Sequence, residues 1–248
     1  MKANLRRTRV AGVRVSDWAK SLSDPTEMYV WAFRYFHQHL PRHIKAHRRY
    51  FARGRRGFGE ESFHAMWFLL VKEYRIRSFL EIGVYRGQAI SLVALLQRTF
   101  GIEGEVVGVS PFSEEGDSVS AYRSGIDYYR DTLMNFERFG LAEPRLIRAR
   151  SADPAALEVV RERLWDCIYI DGNHDYEAVK VDWQNCSPHV RAGGFVVLDD
   201  SALYTTYTPP IFASKGHPGP SQVADEIDGA SFREVLRVGH NRVFQRIS

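Results

Sequence analysis

The sequence predicts an α/β protein with a doubly wound, mostly parallel sheet of seven strands. A closing antiparallel hairpin and an N-terminal helical extension complete this fold class. Three observations support it. A strand pattern followed by a helical pattern recurs five times between residues 79 and 227, which is typical of parallel strands joined by crossover helices. The first strand runs into a glycine turn. Two further strand patterns over residues 232–247 flank a short Gly-His-Asn segment, which predicts a hairpin.

The individual elements follow from periodicity. Asp24 before Pro25 marks the first long helix, because aspartate caps helices and proline fits the first turn. Apolar spacings of three and four predict helices over residues 25–40, 42–53, 60–74, 89–99, 121–139, 153–164, 176–190 and 221–227. Short runs rich in β-branched and aromatic residues predict strands over residues 79–82, 104–110, 145–149, 166–170, 195–198, 232–238 and 242–247.

The charge of the chain is unevenly distributed. The net charge is +4, but residues 1–60 hold fourteen Lys or Arg against four acids, so the remainder is acidic. We therefore predict a basic N-terminal helical extension over residues 1–59 and a main domain over residues 60–248. The densest basic segment, residues 53–56, is either a solvated surface or a rim that attracts an anionic partner. The apolar face of residues 25–40 must be buried, either within the chain or in a homo-oligomer.

Composition excludes some classes of protein. Hydrophobic residues make up 44% and charged residues 26% of the chain, as in ordinary globular proteins. The longest apolar run, Met66 to Val71, is too short to cross a membrane. The N-terminus does not resemble a secretory signal. Cys167 and Cys186 lack the spacing of a metal or redox motif, so we expect buried thiols and a cytoplasmic protein.

Chemically useful residues follow three of the predicted strands. The stretch FLEIGVYRG, residues 79–87, differs from the glycine motifs of dinucleotide enzymes and nucleotide triphosphatases. DGNH follows the strand that ends at residue 170, and an Asp pair follows the strand that ends at residue 198. Because ligands bind at the carboxyl ends of strands in open α/β sheets, these segments predict a site at that edge.

Taken together, FLEIGVYRG, CIYIDGNHDYEAVKVDW and RAGGFVVLDD resemble the motifs of class I S-adenosylmethionine (SAM) dependent methyltransferases, which have a Rossmann-like fold. The resemblance covers residues 60–248. The DGNH and LDD segments are most similar to those of O-methyltransferases that use a divalent metal and act on catechols or natural-product sugars. The resemblance thus implies SAM and Mg²⁺ as cofactors, and a hydroxylated small molecule as the methyl acceptor.

The resemblance also implies roles for residues that bind SAM. Gly83, Tyr85 and Gly87 would line its methionine part, and Glu81 would support the turn. Ser151 would lie near the adenine, and Asp171 could contact SAM directly. Two positions depart from the family pattern, because Ser110 stands where an acid grips the ribose and Arg150 where another acid is frequent. Acids that could replace the ribose contact are Glu114, Glu115 and Asp117.

The three acids Asp171, Asp199 and Asp200 are predicted to hold Mg²⁺, because hard cations prefer oxygen ligands. Adjacent strand residues point to opposite faces, so Asp199 and Asp200 can share one ion only where the strand has turned into loop. His174 stands where the family carries its base and would take the acceptor proton. All four side chains could instead cap helices or strands. The other histidines show no ligand spacing, and we expect them at the surface or in the core.

The sequence therefore favours Mg²⁺-dependent O-methylation of a small molecule, a sugar or another natural-product intermediate. Two alternatives stay open. One is a metal-independent methyltransferase acting on a larger anionic acceptor such as RNA. Because the sequence shows no recognised RNA-binding module, we rank RNA below a small molecule as the acceptor. The other is a noncatalytic protein of this fold whose N-terminal helices mediate assembly. The loop of residues 201–219, with Tyr204, Tyr207 and Phe212, is either a substrate lid or an ordinary irregular segment.

Overall fold

The computed structural model describes residues 18–247, so the first seventeen residues of the predicted extension lie outside the described part. The helices are α1 Lys20–Ser23, α2 Pro25–His39, α3 Arg42–Phe51, α4 Glu61–Tyr74, α5 Gln88–Thr99, α6 Tyr128–Arg138, α7 Pro154–Arg161, α8 Tyr176–Cys186 and α9 Pro218–Glu226. The strands are β1 Ser78–Ile82, β2 Glu105–Ser110, β3 Arg145–Arg148, β4 Trp165–Ile170, β5 Val190–Leu198, β6 Phe232–Val238 and β7 Asn241–Arg246.

The strands form one seven-stranded sheet in the order β3-β2-β1-β4-β5-β7-β6. Strands β1 to β5 are parallel, whereas β7 is antiparallel to both β5 and β6. The predicted fold class is thus confirmed, including the closing hairpin. The register aligns Ile82 with Ile170, and Ile170 with Leu198. Strands β1, β4 and β5 therefore end side by side, and the segments that follow them meet at one edge.

Two predicted helices have boundaries that differ from the structure by four residues or more. The helix predicted over residues 121–139 begins only at Tyr128, where Asp127 caps it by accepting a hydrogen bond from the Arg130 N–H. Residues before Asp127 instead form a long loop. The helix predicted over residues 176–190 ends at Cys186, because Pro188 lacks the N–H that an α-helix needs, and a 3₁₀ turn leads into β5.

Helices cover both faces of the sheet and enclose two apolar clusters. One cluster joins β1, β4 and β5 to α2, α4 and α5, and the other joins the opposite face to α7, α8 and α9. Helix α2 buries Tyr29, Ala32 and Phe36 in the first cluster. Its apolar face is therefore covered inside the chain without a second copy. No helix among the described residues is both long and apolar enough to span a membrane.

The helices before residue 60 are tightly joined to the rest of the chain. The Arg237 N–H on β6 donates to the Ser21 hydroxyl at 2.9 Å, and the Thr208 N–H donates to the Thr26 hydroxyl at 2.9 Å. The two predicted parts thus share one apolar core, and the division between residues 59 and 60 stays a prediction.

Candidate active site

The strand period of two places three acids on one face of the sheet. Phe79, Cys167 and Phe195 all belong to the apolar cluster under α4. Counting by two along each strand brings Glu81, Asp171 and Asp199 onto the same face, at or just beyond the carboxyl ends. Backbone hydrogen bonds extend this alignment: the Asp171 N–H donates to Ile82 at 2.8 Å, and the Asp199 N–H donates to Ile170 at 3.0 Å.

These acids form part of the wall of a cavity of about 640 Å³ at this edge of the sheet. Three loops, over residues 57–60, 119–122 and 211–217, close its sides. Of the residues predicted to act in the site, the cavity is lined by Glu81, Gly83, Tyr85, Asp171, His174, Asp199 and Asp200. Phe212, from the loop predicted as a possible substrate lid, also lines the cavity, whereas Tyr204 and Tyr207 are not among its described lining residues. Residues that the sequence did not single out line it as well, namely Glu60, Trp67, Tyr122, His217 and His240.

Gly83 allows the two strand ends to approach each other. Its φ is +101°, and a Cβ atom there would lie 2.0 Å from the carbonyl oxygen of Asp171. No L-residue with a side chain fits this position without moving the Asp171 backbone. The glycine turn is therefore required by the packing of β1 against β4 as well as by any molecule bound over it.

Burial disfavours the charged forms of two acids in the cavity, Glu81 and Asp171. Burial raises the pKa of Glu81 to about 8, and the charge on Asp199 adds to this effect. Burial, together with Asp199, also holds the pKa of Asp171 well above its ordinary value. One oxygen each of Glu81 and Asp199 is buried without a hydrogen-bond partner. Because buried carboxylates are stable only when paired or coordinated, this arrangement favours a bound cation.

Two histidines supply the positive charge that the described structure holds at this cluster. His240 lies 3.3 Å from Asp199, and this ion pair lowers the pKa of Asp199 against the opposing effect of burial. His174 lies between Asp200, 3.1 Å from Nε2, and Asp117, 2.6 Å from Nδ1. Burial by itself would lower the pKa of His174, but the two carboxylates outweigh it and raise that pKa to about 9.

The chain turns out of strand geometry directly after Leu198. Asp200 has a left-handed φ of +48°, and its carbonyl accepts a hydrogen bond from the His217 N–H at 2.7 Å. Asp199 and Asp200 can then both approach His240. This is the loop geometry that a shared ion requires of two adjacent acids. Asp171 lies close enough to Asp199 for the two carboxyl groups to shift each other's pKa in opposite directions.

Other predicted site residues lie away from the cavity wall. Gly87 caps α5 with a φ of +78°. The Ser110 hydroxyl, at the end of β2, is buried and accepts a hydrogen bond from the Phe112 N–H at 3.4 Å. Ser151 hydrogen-bonds to the buried carboxyl of Asp182. None of the three lines the cavity formed by the described residues, and their predicted roles in SAM binding stay predictions.

The three acids that could contact the SAM ribose in place of the missing acid at Ser110 have other partners. Glu115 pairs with Arg150 at 2.6 Å, and Glu114 accepts a hydrogen bond from the Gly125 N–H. Asp117 holds His174 through both the backbone N–H, at 2.9 Å, and the ring. His240 and His217, expected at the surface or in the core, line the cavity instead. Both histidines are far in sequence from the ends of β1 and β4, and no local pattern marks them as residues of the cavity.

Comparison with known proteins is consistent with this geometry. Residues 80–201 match a family model described as a methyltransferase domain. No curated protein matches the sequence of the chain. A solved O-methyltransferase from Bacillus cereus, in complex with SAH, is similar in fold, with a TM-score of 0.56, 15% identity, and coverage of 95% of this chain and 100% of the other.

Two further solved structures are similar over most of their length. An SAH-bound methyltransferase from Podospora anserina gives a TM-score of 0.60 at 14% identity, covering 97% of this chain and 100% of the other. The O-methyltransferase TomG from Streptomyces achromogenes is involved in tomaymycin synthesis and was solved with SAM. It gives a TM-score of 0.55 at 14% identity, covering 96% of this chain and 100% of the other. At sequence identities this low, the similarity shows a shared fold alone.

Proposed function

Because this chain is a methyltransferase of the class I, SAM-dependent family, we propose that it methylates a hydroxyl oxygen of a small molecule with the help of a divalent cation. The single observation that carries the proposal is the group of four acids at one edge of the sheet. Glu81, Asp171, Asp199 and Asp200 line one cavity, and two of them have a buried oxygen without a hydrogen-bond partner.

These residues fit a cation site. Asp171, Asp199 and Asp200 would hold the ion, since carboxylate oxygens are the ligands that hard divalent cations take up. When bound, the cation lowers the pKa of the acceptor hydroxyl and orients its oxygen. An ion held there would also offset the combined effect of burial and of the Asp199 charge, which raises the pKa of Asp171.

His174 is the proposed proton acceptor. In the arrangement described here its raised pKa keeps the ring protonated at neutral pH, and a protonated imidazole cannot accept another proton. Positive charge beside Asp200 would offset the effect of that carboxylate and favour the neutral ring. Asp117 then fixes the proton on Nδ1, because it lies 2.6 Å from that atom. Nε2 is left to take the hydroxyl proton.

The reaction itself is an in-line displacement. The acceptor oxygen forms a bond to the methyl carbon of SAM while the bond from that carbon to sulfur breaks, which yields SAH, and the hydroxyl proton passes to His174 Nε2. Gly83 and Tyr85 are the proposed contacts for the methionine part of SAM, because both line the cavity beside the acids. The sulfonium cation suits a cavity lined by carboxylates and aromatic rings. Alignment of donor and acceptor supplies much of the rate enhancement.

Three exposed apolar side chains lie at the mouth of the cavity. Phe58, Val119 and Ile211 come from three different loops, line the cavity, and are exposed by 70%, 49% and 93%. Large apolar side chains gathered around a pocket are typical of ligand contacts. We propose that the acceptor presents its hydroxyl to the acids while an apolar body contacts these three side chains. This favours an amphipathic natural-product intermediate over a free sugar.

The test is calorimetric titration of metal-free protein with SAM, then with Mg²⁺ in the presence of SAM. We expect saturable SAM binding and a separate metal signal that Asp199→Ala abolishes, while Glu158→Gln, an exposed carboxylate on α7, retains both. Two results together would contradict the role of the cation and favour the metal-independent alternative. These are SAM binding without a metal signal, and full activity in EDTA on an acceptor found by screening hydroxylated compounds. Absence of SAM binding would contradict the whole proposal.

A further inference from the structure

The donor atoms around the Asp pair are of two kinds. Among the described residues, one group whose ligand atoms lie within 4.8 Å of one another is Asp199, Asp200 and His240, and another is His174, Asp200 and His217. Asp171, the third predicted ligand, belongs to neither group. Both groups therefore mix imidazole and carboxylate donors, where the sequence predicted carboxylates alone.

We infer that His240 is a ligand of the cation at Asp199 and Asp200, and that this mixed donor set selects a first-row transition-metal ion over Mg²⁺. The inference rests on the proposed function, since it specifies the ion that the proposed site would hold.

The positions of the three side chains support this assignment. His240 Nε2 lies 3.3 Å from Asp199 Oδ1, and that oxygen is buried without a hydrogen-bond partner. Asp200 Oδ1 lies 3.5 Å from the other ring nitrogen, Nδ1. One ligand atom from each of the three side chains lies within 4.8 Å of the other two, and only about a tenth of the His240 side chain is exposed.

The other ring nitrogen of His240 has the partner that a metal-binding histidine needs. Nδ1 lies 3.0 Å from the hydroxyl of Ser214, in the loop that follows the Asp pair. Histidines that bind metals almost always use their second nitrogen for such a hydrogen bond, which fixes the orientation of the ring. Ser214 leaves Nε2 directed towards Asp199.

The fold holds His240 in this place independently of any ion. It sits in the β6–β7 turn, where its carbonyl accepts a hydrogen bond from the Ser201 N–H at 2.8 Å. Its ring packs on Phe63 of α4, with ring centroids 4.6 Å apart. The hairpin and the loop after β5 are thus joined next to the Asp pair, and the imidazole is preorganised.

The chemistry of the donors then decides the preference. Mg²⁺ takes oxygen ligands in octahedral geometry and retains several waters, whereas imidazole suits ions such as Co²⁺, Fe²⁺ and Zn²⁺. A nitrogen ligand adds affinity for these ions along the series from Mn²⁺ to Zn²⁺ and adds little for Mg²⁺.

The experiment uses the full-length, metal-stripped protein and Co²⁺ as the probe, with the visible ligand-field spectrum and calorimetric Kd as readouts. We expect the wild type to bind Co²⁺ at least tenfold more tightly than Mg²⁺. His240→Asn should weaken Co²⁺ binding about tenfold or more and alter the spectrum, while Mg²⁺ binding changes little. His189→Asn, at the opposite end of β5, is the matched control and should behave as wild type.

Because His240→Asn could unfold the hairpin, Ser214→Ala serves as a second variant that leaves the ring in place. It should weaken Co²⁺ binding about tenfold through loss of the Nδ1 partner. Equal affinity for Co²⁺ and Mg²⁺ in the wild type, or an unchanged Co²⁺ spectrum in folded His240→Asn, would overturn the inference. A parallel SAM titration separates the two proposals, because lost SAM binding contradicts the methyltransferase site whereas the Co²⁺ result alone decides the role of His240.

Discussion

The Nδ1 atom of His174 lies 2.6 Å from Oδ2 of Asp117, although 57 residues separate the two in sequence. The same carboxylate oxygen accepts the His174 N–H at 2.9 Å. The loop before α6 therefore fixes both the backbone and the ring of the proposed proton acceptor. We regard Asp117 as a positioning residue that acts through His174.

Asp117→Asn should lower the pKa of His174 by about one unit or more, because an opposite charge at this distance favours the protonated ring. The check is a pH titration of the His174 ring signals by NMR in metal-free protein. Glu115→Gln, in the same loop but paired with Arg150 at the surface, is the control and should leave the titration as in wild type. An unchanged His174 titration in Asp117→Asn would show that the carboxylate does not act on the ring.

Gly83→Ala should disrupt the site. The new Cβ would lie 2.0 Å from the Asp171 carbonyl, and the φ of +101° is strained for alanine. We expect a loss of about 2 kcal/mol or more in the free energy of unfolding, and loss of SAM binding. Gly101→Ala is the matched control, because its φ is +58° but no atom lies within 4 Å of the added Cβ. It should cost about 1 kcal/mol of backbone strain. Equal destabilisation of both variants in urea would contradict the steric argument.

Asp182 predicts a pH dependence of stability. Burial raises its pKa to about 6, against the partial compensation of a hydrogen bond from Ser151. The folded state thus favours the protonated acid more than the unfolded state does. Its contribution is fully present below about pH 4 and is lost as the pH rises through 6.

Asp182→Asn should consequently be more stable than wild type at pH 8, by up to about 3 kcal/mol, and similar to it at pH 4. Urea unfolding at both pH values measures this. Glu177→Gln, an exposed carboxylate on the same helix, should show no such crossover. A constant stability difference between the two pH values would mean that Asp182 titrates normally.

The apolar mouth predicts the affinity of amphipathic acceptors. Octyl gallate should bind about tenfold more tightly than gallic acid in the presence of SAH, because the alkyl chain covers Phe58 and Ile211. Phe58→Ala combined with Ile211→Ala should remove most of this difference, as measured by calorimetry. Met134→Ala, exposed at 55% but outside the cavity, should retain it. Equal affinity for the two compounds in wild type would argue against an apolar acceptor body.

Much of the fold could be predicted from local pattern. Phe232–Val238 was predicted with the bounds that the structure shows, and most other strands within a residue or two. Residues 121–127 were predicted as helix, because their apolar residues fit a helical spacing, which outweighed the local signals of Gly125 and of the capping residue Asp127. A boundary of this kind depends on which residues the loop contacts. Asp117 of this loop contacts His174, which follows β4 and lies 57 residues further along the chain.

Local pattern in the sequence places Asp171, Asp199 and Asp200 at the ends of two strands that are expected to be neighbours, at the carboxyl edge of the sheet. Strand periodicity is a local property, so the residues that end each strand carry this information. The structure adds that Glu81 lies on the same face, that His240 and Asp117 join the acids, and that Ser110 and Ser151 lie outside the cavity wall. The reason is physical: a hairpin turn and a loop reach the strand ends through packing and hydrogen bonds between distant segments, which no periodicity records.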